Sequence, residues 1–260
     1  MSLISTPNLT RTAAAFLFSL AAACGLPPDE NAALESATDE LVSSTPSLGS
    51  ASRFAVLGAS TVTCTNASAV GADVGVAPGS SITGFNPGCT TSGTLHAGDA
   101  VAVSAHADVA TAYNALAGAA CEHNLTGVDL GGMTLSPGVY CFDSSASLSG
   151  QLRLDGRGKT DAKWIFQIAS TITTATNASV VMVNKAQPCN VFWQVGSSAT
   201  LGSGTAFMGN VVSFSSITVV SGTSLVGRAL AVNGAITLDH NEISLGSCTQ
   251  PRPPKGPKGH

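Results

Sequence analysis

The stretch ATLGSGTAFMGN, beginning at Ala199, superposes on ITVVSGTSLVGR, beginning at Ile217, at a spacing of 18 residues. The superposition carries Thr200 onto Thr218, Gly204 onto Gly222, Thr205 onto Thr223 and Gly209 onto Gly227. A third copy, AITLDHNEIS, opens at Ala235 and places Thr237 nineteen positions after Thr218. Short β-branched runs broken at glycine with such a period describe a β-solenoid, in which one coil buries its apolar side only when another stacks on it. Further back, STITTATNASVVMVN sets Thr171 and Ile172 where Thr200 and Leu201 stand, with a longer coil between.

Side chains alternate across a strand, so the pattern also assigns faces. The size of Ile172, Leu201, Val219 and Leu238 sends them inward, which turns Thr171, Thr200, Thr218 and Thr237 outward as one file. Coils lie about 4.7–4.9 Å apart, so the file is a regular rank of methyl and hydroxyl groups, flanked at the next corner by Thr205 and Thr223. Threonine favours strands on its own account, and that suffices for any single one. Four in register beside a segment, 186–227, that holds no charged residue point instead to a binding surface. The neighbouring outward positions Gly202, Val220 and Asp239 are mixed in character.

Several function classes fall away on chemistry. Charged residues make up 10% of the chain and the net charge is −4, so the basic footprint of a nucleic-acid binder is missing. Asp73, Asp99, Asp108, Asp129, Asp155, Asp161, Asp239 and Glu242 include no recognisable catalytic pair within one repeat. Asp155 and Asp161 sit in LRLDGRGKTDAKWIF as turn formers. His96, His106, His123, His240 and His260 are scattered without metal-ligand spacing. No catalytic residue, cofactor or metal is therefore expected. Trp164 and Trp193 fall in strongly apolar runs, where a core role outweighs that of a sugar platform.

The interruption HAGDAVAVSAHADVATAYNALAGAACEHN carries Val101, Ala105, Val109, Ala112 and Leu116 at helical spacing, which predicts one amphipathic helix with Asp99 near its start and Gly118 as its stop. His106 and Tyr113 read as its surface or boundary packing. Arg11 precedes an uncharged run at 12–23, so residues 1–24 read as a signal segment. Two readings of its end stay open: ordinary cleavage at the alanines, or lipid attachment at Cys24, which would anchor the protein to a membrane. Residues 25–50 form an acidic, Pro- and Ser-rich linker with room for a short helix over 30–41, and 248–260 form a basic, Pro-rich tail. Six cysteines remain in the domain over 51–247 and its border: Cys64, Cys89, Cys121, Cys141, Cys189 and Cys248. In an exported chain they imply up to three disulfides, with 15 connectivities open.

The motifs FAVLGASTVT, GADVGVAPGSSITGF, HAGDAVAVSAHADVATAYNALAG, DLGGMTLSPGVYCF, WIFQIASTITT, CNVFWQVGSSATLGSGTAFMGNV and GRALAVNGAITLDHNEI occur in that order between residues 54 and 243. Together they resemble the ice-binding proteins of the DUF3494 type. The resemblance implies a mainly β fold: a right-handed, three-sided β-solenoid of discontinuous coil order with one long α-helix alongside. It also implies N-terminal coils inserted among later ones, bringing TVTCTN, with Thr61 and Thr63, beside the C-terminal coils. The expected partner is the surface of an ice crystal, bound by a monomer secreted or held at the cell surface. The competing expectation is a cell-surface adhesin or polysaccharide-binding solenoid.

Overall fold

In a computed structural model of the protein the described residues are 46–246 and 248. The signal segment with Cys24, the short helix expected over 30–41, most of the linker and all but the first residue of the tail lie outside them. The described chain is parallel β in sheets of fifteen and seven strands, with one long helix, Ala100–Ala117.

The strands form a solenoid of three sides. The first side is the seven-stranded sheet, ordered Ala146–Leu148, Ile172–Thr174, Ala199–Leu201, Ile217–Val219, Ile236–Asp239, Thr61–Thr65 and Ser81–Thr83. The second side runs from Thr134–Leu135 through Gln151–Asp155 and Ser179–Val183 to 206–208, 224–226, Glu242–Ser244, Ala69–Val70 and Thr90–Thr91. On the third side Gly138–Phe142, Trp164–Ile168, Val191–Val195, 210–213, 228–231, Phe54–Gly58 and Asp73–Val76 follow one another. The strands Ala206–Ser213 and Ser224–Ala231 serve both sides, turning at Gly209 and Gly227, which pair in register. A Cβ on Gly227 would collide with the Gly209 carbonyl, so the bend needs glycine there.

The 18-residue period is a register. Thr200 pairs with Thr218 and Gly209 with Gly227, and Thr218 pairs with Thr237 across the nineteen-residue coil. Inside, Tyr140, Phe166, Trp193 and Phe207 form an aromatic column along the axis, with Phe166 and Trp193 stacked at 3.9 Å between ring centres. Trp164 and Trp193 are both fully buried, and their indole N–H groups donate to the carbonyls of Leu135 and Met208. That removes the exposed aromatic platform that a sugar-binding reading needs.

Coil order is not sequence order. Val56 pairs with Ala229, Val62 with Ile236 and Ala69 with Glu242, so TVTCTN does lie beside the C-terminal coil. The first coils are not inserted among later ones, however. They stack beyond the last coil, 228–244, which is held between 54–70 on one side and 210–226 on the other. After Leu95–Ala97 the chain must return to the far end before winding back, and the helix, about 27 Å long, carries it there.

The helix buries Ala102, Ala105, Val109, Ala112 and Leu116 against Phe54, Leu57, Phe192, Val212 and Leu230 of the third side. Val101, expected on the buried stripe, is 37% exposed, and Ala102 takes its place. A spacing of three then four from Ala102 keeps the stripe on one face, whereas two steps of four from Val101 drift off it. The body also starts earlier than residue 51: Leu48 is buried in the same cluster, and the Ser50 N–H donates to the Asp108 carboxylate at 2.7 Å. The six cysteines pair as Cys64–Cys89, Cys121–Cys141 and Cys189–Cys248, so the first residue of the tail is tied to the body.

Candidate functional site

On the first side the inward positions Ala146, Ile172, Ala199, Ile217, Ile236 and Val62 are all buried. The next residue of each strand faces outward, and these pair directly from strand to strand: Ser147, Thr173, Thr200, Thr218, Thr237, Thr63 and Thr83. The file is seven residues long, made by five sequential coils and two N-terminal ones. Among the described residues, the hydroxyls of Thr173, Thr200, Thr218 and Thr237 have no hydrogen-bond partner in the protein. The Thr83 hydroxyl lies 3.4 Å from that of Thr63.

Two residues earlier runs a parallel outward file of small polar groups, in which Thr171 accepts or donates to Ser145 at 2.9 Å and Thr61 pairs with Ser81. Thr171 therefore stands on the same face but not in the file of Thr200, Thr218 and Thr237. The register places Thr173 there, because Ile172 pairs with Ala199 rather than Leu201. A slip of one residue would have turned the strand inside out, whereas a slip of two keeps every side chain on its correct face. The run STITT fits both registers.

Thr205 and Thr223 do not belong to the surface. Each is 1% exposed. The Thr205 and Thr174 hydroxyls are 2.8 Å apart, and Thr223 donates to the Gly202 carbonyl at 2.8 Å. The Thr205 and Thr223 hydroxyls give the corner carbonyls of Ala175 and Gly202 a second hydrogen bond beside the one each accepts within its turn. Their 18-residue recurrence reflects the corner, not a ligand.

The sequence pattern left out Ser147, Thr173, Thr63 and Thr83 as members of the central file. The alternation in TVTCT, 61–65, was the available signal for Thr63. Its place in the file depends on the non-sequential stacking of the coils, which a repeat search does not detect.

Two carboxylates border the face. Asp129 caps the file at one end, accepting from the Ser147 hydroxyl at 2.7 Å and from the Ser149 hydroxyl and Gly131 N–H at 2.7 Å. Burial raises its pKa, but these donors outweigh burial and hold the carboxyl below its ordinary range. Asp239 lies in the next outward file, paired with Thr65.

The other two sides differ in character. The helix covers the third. The second carries the charged residues Arg153, Asp155 and Glu242 on its strands.

Comparison with known proteins fits this geometry. The family model described as Ice-binding-like matches residues 56–244. An ice-binding protein of Nostoc sp. (strain HG1) is 51% identical over 216 residues, covering 83% of this chain and 80% of the relative. The crystal structure of an ice binding protein from an Antarctic biological consortium superposes with a TM-score of 0.76 at 42% identity, over 78% of this chain and 92% of the other. That of an ice-binding protein from the Antarctic ascomycete Antarctomyces psychrotrophicus gives 0.74 at 39% identity, over 76% and 97%. A threonine-faced parallel solenoid, a family match spanning its coils and a relative identical at half of the aligned positions lead to one conclusion: the chain belongs to the Ice-binding-like family.

Proposed function

We propose that this protein binds ice, and that the first side of its solenoid is the adsorbing surface, with the file Ser147, Thr173, Thr200, Thr218, Thr237, Thr63 and Thr83 at its centre. The observation that supports the reading is the conjunction of regular spacing with the unpartnered hydroxyls of Thr173, Thr200, Thr218 and Thr237 on a side that the helix leaves uncovered and whose strands carry a single charge. Charges hold tightly oriented hydration shells, whereas methyl groups shed water and hydroxyls share it. A rigid rank of both can order a layer of water and bind the crystal through it. Adsorption at many points stops growth at the bound surface and slows recrystallisation. No chemical step is involved, and the protein acts as a monomer without cofactor.

The site of action is outside the cytoplasm. The uncharged run at 12–23 and three disulfides support export. Mass analysis of the mature N-terminus distinguishes a secreted form from one lipidated at Cys24.

Thr218 lies at the middle of the file, and Thr218→Tyr raises a bulky ring above the plane without touching the core. Ice recrystallisation inhibition by this variant is expected to need at least about tenfold more protein than wild type, as for loss of a central anchor, with an unchanged melting curve. Equal inhibition by the folded variant would move the site to another face.

A further inference from the structure

Along the seven strands of the first side, one outward position carries a charge: Asp239. It lies two residues beyond Thr237, hence about 7 Å along the strand from the central file. Its neighbours in the third outward file are Val220 and Thr65, with Gly202 and Ala175 further along. But for this carboxylate, small and apolar groups would make the third file as weakly hydrated as the other two.

The carboxylate has a structural task. One oxygen accepts from the Asn66 amide at 2.7 Å and lies 3.4 Å from the Thr65 hydroxyl. Asn66 and Ala67 both have φ of +53°, at the turn that leads the first coil from the first side to the second. Asp239 therefore ties the C-terminal coil to the N-terminal one at the junction where the stacked coils are not joined through a neighbouring loop. The acceptor is needed there; the charge is not, since an amide oxygen fills the same role.

We infer that Asp239 sets the width of the ice-adsorbing surface, confining it to two files by holding a hydration shell over the third. The inference rests on the ice-binding reading. It makes Asp239 a residue that limits affinity for ice while serving the fold, so neutralising it in place widens the face. A carboxylate displaces its ordered water only at a cost, and a neutral amide at a smaller one.

The test compares wild type, Asp239→Asn, Asp239→Glu and Glu242→Gln in the full mature chain by recrystallisation inhibition and thermal hysteresis, with melting curves for each. Asp239→Asn keeps the acceptor for Asn66 and is expected to lower the inhibiting concentration about threefold, while Asp239→Glu, which extends the charge outward, raises it. Glu242→Gln removes a charge from the second side and leaves the value unchanged. Equal activity of Asp239→Asn and wild type, or the same gain from Glu242→Gln, overturns the inference and leaves ice binding itself standing. An inactive wild type overturns both.

Discussion

Threonine does two jobs in this molecule, and its hydroxyl tells them apart. At Thr173, Thr200, Thr218 and Thr237 the side chain leaves the sheet and its hydroxyl has no protein partner among the described residues. At Thr174, Thr205 and Thr223 it points inward and is tied to corner groups. The two sets respond differently to loss of the oxygen. Thr205→Val keeps the shape but leaves the buried Thr174 O–H, which still accepts from the Gly202 N–H, without an acceptor of its own, so unfolding free energy is expected to fall by about 1–3 kcal/mol, measured by denaturant titration. Ice inhibition per folded molecule should stay at the wild-type level. Repetition in sequence marks both sets equally, since a residue recurs wherever the geometry recurs. Facing was legible from alternation, and Leu201, Val219 and Leu238 point inward as expected. Partnership was not, because it depends on which backbone groups the corner brings within reach.

The helix shows the same division at the scale of an element. Its existence, its Asp99 start and its Gly118 stop were legible from spacing and capping chemistry, and Asp99 does accept from the Ala102 N–H at 2.9 Å. What its ends do for the solenoid was not. At the C-terminus, Gln167 donates its amide to the Leu116 and Ala119 carbonyls at 2.8 and 2.7 Å, closing groups that helix ends leave open. Near the N-terminus, the buried His96 bonds the Asp99 carboxylate at 2.8 Å, and Asp73 pairs with Arg53 and accepts from the Thr94 N–H. Burial raises the Asp73 pKa, but the Thr94 N–H and Arg53 outweigh it; for Asp99 the Ala102 N–H leads, followed by His96, so both carboxyls titrate below their ordinary value. A carboxyl depressed in the folded state stabilises it above the unfolded pKa of about 3.9, and that contribution is lost as pH falls through the folded value. Acid should therefore loosen this end before the middle of the solenoid. Hydrogen exchange at pH 3 is expected to rise in 73–76, 95–97 and the first helical turn before it rises in 191–231; uniform acceleration would show that these carboxyls do not govern the end.

At the scale of the whole molecule, the face is assembled from coils far apart in sequence. Five rungs of the central file come from 147–237 and two from Thr63 and Thr83, which join only because the first coils stack on the last one. A repeat search matches neighbours in sequence, so it recovers 199–241 and remains silent on a junction between residues about 170 apart. Only the family resemblance pointed to it, and it placed the first coils among later ones rather than beyond them. Cys64, whose side chain points into the core from the strand that carries Thr63, is bonded to Cys89 in the outermost turns. The bond closes a loop with a sequence separation of 25, and such a closure constrains the unfolded chain by about 3–4 kcal/mol. The paired variant Cys64→Ser with Cys89→Ser is expected to lose that much unfolding free energy, seen as a lower melting temperature in calorimetry, with the added exchange concentrated in 61–65 and 81–97. If the end coils fray at working temperature, the file shortens from seven rungs toward five and ice inhibition weakens severalfold while the aromatic column at Phe166 and Trp193 keeps its near-ultraviolet dichroism. Equal ice activity from a variant shown by exchange to have lost order at Thr63 and Thr83 would mean that the five sequential rungs adsorb on their own and that the N-terminal coils serve only to cap the solenoid.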